Sequence, residues 1–107
     1  MHKKKKPKHE TRIVCGSKWM FLLTDEMPEG LDGLCVPSQQ KIAVRRSAPD
    51  HYREEIELHE AIHANFSCSP LGQKLQSYHP DLEEEICETL APLLHAYLRL
   101  NKKRYDV

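Results

Sequence analysis

The strongest constraint in this chain is five residues long: His59-Glu60-Ala61-Ile62-His63. On a helix, positions four apart stack on one face, so the two imidazoles can share one metal ion. This is the H-E-x-x-H pattern. Glu60 lies one step round from His59, placed to hydrogen-bond a water at the metal rather than to ligate the metal itself. Seven histidines and eleven glutamates among 107 residues make the pattern a rare accident, expected about 0.04 times in a chain of this length. The competing reading is an ordinary amphipathic helix with histidines satisfied at the edge of a core.

The surroundings agree with a cation. Net charge is zero, but residues 50–88 carry ten acids against only Arg53 and Lys74. An acidic segment around two histidines suits a divalent ion, although a solvated helix face has the same composition. A chain of this length supports one domain with a modest core.

The helix carrying the motif is expected over residues 51–66. Ser47-Ala48-Pro49-Asp50 is a start signal with Asp50 as N-cap, and Pro70 and Gly72 mark the end. Tyr52, Ile56, His59, His63 and Phe66 form one stripe, with Leu58 and Ile62 on another, so the helix is expected to be buried on two sides. Residues 70–80 read as a connection. Asp81 then opens a second helix with Leu82, Ile86, Leu90, Leu93 and Tyr97 as its apolar stripe, kinked or split at Pro92.

Upstream, Ile13–Cys15 and Trp19–Leu23 read as strands separated by Gly16-Ser17, with a short helix as the alternative for Trp19–Leu23, and residues 25–33 as loop. Residues 34–46 read as a hairpin: Leu34–Val36, a turn at Pro37-Ser38-Gln39, then Lys41–Arg45. If Lys41–Arg45 is an edge, an extended peptide can pair with it. The fold class is therefore α+β, with N-terminal antiparallel strands before two helices. Residues 1–10, with five lysines and Pro7, read as a disordered basic tail, and residues 11–107 as the domain. The tail is a solubilising segment or a tether to nucleic acid or another anionic surface.

Cys15, Cys35, Cys68 and Cys87 form no C-x-x-C pair and no evident disulfide framework, so they read as small, mostly buried hydrophobes in a reducing compartment. No apolar segment follows the N-terminal lysines, so no signal peptide is apparent. No run approaches the roughly 18 apolar residues that span a bilayer. A soluble cytoplasmic protein is the simplest expectation.

A catalytic zinc site needs three protein ligands and one open position. The third ligand is Glu84, with Glu85 or Glu88 as neighbours that could substitute, or else His79 in the preceding loop. Against Glu84 stands a capping box, Asp81-Leu82-Glu83-Glu84, with Glu83 and Glu85 solvated. Glu88 could hold a ligand histidine from behind. Tyr78 or His79 could instead stabilise an oxyanion.

Leu58-His59-Glu60, Ile62-His63-Ala64 and the later acid-bearing helix resemble a minimal gluzincin, a zincin metallopeptidase of the ImmA/IrrE type or a small phage-encoded relative, over roughly residues 34–98. That resemblance implies a mixed sheet and an active-site helix. It implies zinc ligands His59, His63 and Glu84, with Glu60 as general base. It further implies a protein or peptide substrate, such as a DNA-bound repressor or other regulatory protein. With His79 as ligand, the chain would be similar to SprT-like proteases, some of which act on DNA-bound proteins. The alternative from another class is a non-catalytic binding module stabilised by metal.

Overall fold

The computed structural model describes residues 8–101 as an α+β domain, a four-stranded mixed sheet with three helices. Strands β1 (Lys8–Val14) and β2 (Ser17–Thr24) form an antiparallel hairpin. Its two-residue tip has positive φ at Cys15 (51°) and Gly16 (79°), matching the turn class that follows the natural twist of two strands. The chain continues through a loop into β3 (Gly33–Val36), a single 3₁₀ turn at Pro37–Gln39, and β4 (Lys41–Arg45). β4 inserts between its neighbours, parallel to β2 and antiparallel to β3, giving the order β1-β2-β4-β3.

That order corrects two readings. Lys41–Arg45 is an interior strand, and β3 and β1 are the edges. Lys8 to Glu10 belong to β1 rather than to a tail. The rest of the expected tail, residues 1–7, and residues 102–107 lie outside the described residues.

One face of the sheet carries Trp19 and Phe21 from β2 and Ile42 and Val44 from β4, all buried. With Val14, they pack on Ile56 and Ala64 of helix α1 (Asp50–Ser67). Polar contacts reinforce this packing. Arg12 of β1 donates from Nε to Glu57 Oε2 (2.9 Å) while its guanidinium lies 4.2 Å over the Phe21 ring. The charge of Glu57 is thereby used to hold α1 on the sheet. Asp50 is the first helical residue, paired with Arg53, and Pro49 flanks it without a side-chain cap.

Residues expected as a connection form a second helix, α2 (Pro70–Tyr78). Its start obeys a simple rule: Ser69 Oγ accepts from Gly72 N (3.0 Å) with Pro70 in the first turn. A Cβ at Gly72 would fall 1.9 Å from Phe66 O, so only glycine lets α2 fold back on the end of α1. Helix α3 (Pro80–Asn101) runs past Pro92 without splitting.

The apolar stripe of α3 is not the face that packs inward. Glu83, Cys87 and Ala91 are the buried residues of α3, which packs against α1. Leu82, Leu90, Leu93 and Tyr97 are exposed.

The cysteines depart furthest from expectation. Cys15 at the hairpin tip and Cys68 just beyond α1 are both exposed and form a disulfide. Their separation of 53 positions hides the pairing from any local pattern. Fixing a loop of that length limits the unfolded chain by about 4 kcal/mol in the chain-entropy account. The inference of a reducing compartment rested on unbridged thiols and has no such support. Cys35 and Cys87 remain free, half-buried and buried. No helix among the described residues is long and apolar enough to cross a membrane.

Candidate metal centre

The site is built where α1 crosses α3. His59 and His63 lie one turn apart on α1, with ring centroids 5.1 Å apart. Glu84, in the first turns of α3, reaches both. Its Oε1 lies 2.8 Å from His59 Nε2 and its Oε2 2.8 Å from His63 Nε2. One carboxylate thus bridges two imidazoles, and the three ligand-type atoms lie within 4.8 Å of one another. Glu84 is not engaged as the closing residue of a capping box.

Glu83, expected in solvent, is 6% exposed. Its Oε2 lies 2.7 Å from His63 Nδ1. A carboxylate can only accept, so Nδ1 carries the proton and donates it to Glu83. This fixes the ring and turns Nε2 toward Glu84. The role foreseen for Glu88 therefore belongs to Glu83. Glu88 is exposed and lines the groove beside the site. The legible signal for Glu83 is its spacing from Cys87 and Ala91, each four residues on, which marks the α1-facing stripe.

Glu60 stands apart from the three clustered atoms, against β3. A Cβ at Gly33 would meet Glu60 Oε2 at 2.9 Å and Ile56 Cγ2 at 2.5 Å. Glycine at the start of β3 is thus what lets the strand lie against this carboxylate. Burial pushes the Glu60 carboxyl above the usual range; His59 and His63 oppose that, and Glu84 adds to it. Burial also works against a charged His63, but Glu83, Glu60 and Glu84 outweigh it and hold this imidazole above its ordinary value. Burial first, then Glu60 and Glu83, pushes the Cys35 thiol up to about 12; burial, then Glu84, Glu83 and Glu60, does the same to Cys87, so neither is a ready nucleophile.

The groove over the site has a volume of about 590 Å³. One wall is β3 and the loop before it, with Leu31, Gly33 and Cys35. Arg45 holds that loop, donating from Nε to Leu31 O (3.0 Å) and from Nη2 to Pro28 O (3.1 Å). Arg45 is therefore committed to the loop behind the groove rather than lying along a substrate.

The structure leaves the other candidates aside. Tyr78 is 76% exposed and His79 follows the last residue of α2; neither lines the groove. Glu85 is exposed. His95 pairs with Glu54 (2.9 Å), a second tie between α3 and α1.

The donor set fits a divalent ion. Two imidazole nitrogens and a carboxylate converge, with the carboxylates of Glu60 and Glu83 close by. Even with both histidines protonated, three acids leave the cluster negative. Glu83 Oε1 is also buried with no hydrogen-bond partner among the described residues, a cost that a cation nearby offsets. Imidazole and carboxylate donors suit zinc, but accept other divalent metals as well. No family model, curated protein or solved structure matches this chain.

Proposed function

We propose that this chain is a metal-dependent peptidase on the gluzincin plan, with His59, His63 and Glu84 holding zinc and Glu60 serving as general base. The observation that carries this reading is the Glu84 carboxylate set against the Nε2 atoms of both motif histidines, with Glu60 left out of that contact.

Bound zinc supplies Lewis-acid chemistry, acidifying water and polarising a carbonyl oxygen. The chain's own groups do the rest. Glu83 holds His63 in the tautomer whose Nε2 faces the site. The Glu60 carboxylate takes a proton from the attacking water and returns it to the leaving amine nitrogen. Burial, which raises its pKa in the metal-free protein, makes it a stronger base than a carboxylate of ordinary acidity.

An extended peptide would lie along β3 rather than β4. Among the described residues β3 pairs only with β4, and it forms a wall of the groove, so its outer side offers backbone groups to an added strand. The substrate class is therefore unfolded or extended polypeptide.

The test is Glu60→Gln. The variant should bind one zinc per chain as the parent does and lose hydrolysis of an unfolded protein by about 10²- to 10⁴-fold. Retained activity would refute the base assignment. A parent protein that binds zinc tightly and cleaves nothing would favour the non-catalytic module. The small buried core gives that reading its support, since metal-coupled folding adds stability where a core adds little.

A further inference from the structure

The outer face of α3 is apolar from end to end. Leu82, Ile86, Leu90, Leu93, Tyr97 and Leu100 recur at steps of four or three residues, so they form one stripe. Ile86 is half-buried; the others are exposed, with Leu93 at 61% and Leu100 at 77%. Thr89 and Ala96 border the stripe, and no charge interrupts it. Large apolar side chains ranged along a helix in this way mark an interaction surface.

The spacing of the stripe is nearly the same read in either direction. When two such helices run antiparallel, Leu90 meets the partner's Leu93. Ile86 then meets Tyr97, and Leu82 meets Leu100. The flanking charges select the same arrangement. Glu85 and Arg99 are about four turns apart and lie on one flank of the stripe. In an antiparallel pair, residues on the same flank meet, so each Glu85 faces an Arg99. A parallel pair would set Glu85 against Glu85. Flanking charges of this kind fix partner and orientation in helix pairs.

We propose that α3 is a self-association surface, pairing two copies of this chain antiparallel through the Leu82–Leu100 stripe with Glu85 and Arg99 matched across the two-fold axis. The pairing is isologous and closes at two copies. One helix from each copy buries an area at the small end of specific interfaces, below about 1,200 Å². The dimer is therefore reversible and concentration-dependent. Glu84 and Glu88, which line the groove from α3, lie on the opposite side of the helix from the stripe, so the groove stays open in the dimer.

The test is analytical ultracentrifugation of the metal-loaded chain over a concentration series from low micromolar to near millimolar. A reversible monomer–dimer equilibrium is expected. Glu85→Arg and Arg99→Glu should each weaken it by at least about tenfold. The double variant Glu85→Arg/Arg99→Glu should recover to within about threefold of the parent. Both residues are exposed, so circular dichroism should show an unchanged fold. A chain that stays monomeric throughout overturns the proposal, including one that binds lipid vesicles or another protein instead. So does a dimer indifferent to the charge exchange. Metal content and peptidase activity are read separately, so loss of the site and loss of the dimer are distinguishable.

Discussion

The two faces of α3 are exchanged relative to an ordinary surface helix. The inner face carries Glu83 and Glu84 with the small residues Cys87 and Ala91, and the outer face carries leucines and a tyrosine. On apolar burial alone the helix would turn over, since each buried leucine is worth about 1.5–3 kcal/mol. It does not, because the inner face meets two imidazoles that give its carboxylates partners. Small residues at Cys87 and Ala91 then let α3 approach α1 closely. A polar constellation thus decides the orientation of α3, and the leucines are left for another surface.

The sharpest test of the inner face is Glu83→Gln. The amide keeps the volume but removes the acceptor charge at His63 Nδ1. Zinc affinity should fall by about 10- to 100-fold, the usual cost of losing a group that orients a ligand histidine. Isothermal titration with competing chelators measures this. An unchanged affinity would make Glu83 a structural carboxylate and leave Glu84 alone as the reason for the inward face.

Protons test the same face without mutation. In the metal-free protein, His63 and Glu60 both have folded values above their ordinary 6.5 and 4.5. The folded state then binds more protons than the unfolded one. The His63 contribution to stability is full below about pH 6.5 and is lost as pH rises through its higher folded value. The Glu60 contribution is full below about pH 4.5 and is lost in the same direction. Thermal midpoints with chelator present should therefore fall as pH rises from about 5 to about 8. With zinc, the stabilisation should grow over that range, because the ligands must be deprotonated to bind. Parallel curves with and without metal would show that the ion does not use these groups.

Much of this arrangement was legible in residues 34–66. Alternation at Ile42 and Val44, the Pro37 turn and the histidine spacing are local signals, and each element formed where its pattern lay. The place of β4 in the sheet was not local. Whether a strand is edge or centre depends on which neighbours it finds, and β2 lies about 20 residues away. Helix α2 did carry a local signal, Ser69-Pro70, but its glycine and polar composition masked it. The disulfide had none.

Which face of α3 packs inward was only partly legible, for a physical reason. Hydrophobic periodicity locates a stripe but does not say which partner covers it. Glu83, Cys87 and Ala91 form a stripe just as regular. Only the pairing with His59 and His63 makes it the inner one. The sequence held a clue, since two histidines one turn apart attract a carboxylate partner and Glu84 stands beside that stripe.

The smallest effect is expected on the outer face, and there a small effect is the informative one. Leu93→Gln replaces the most exposed leucine in the middle of the stripe. In solution dilute enough to keep the chain monomeric, urea unfolding should change by no more than about 0.5 kcal/mol, as for exposed positions generally. Buried leucines cost about 2–5 kcal/mol when truncated. A loss in that range, in the monomer, would mean that Leu93 belongs to the core of its own chain. α3 would then be turned the other way, and Glu84 would no longer reach the two histidines.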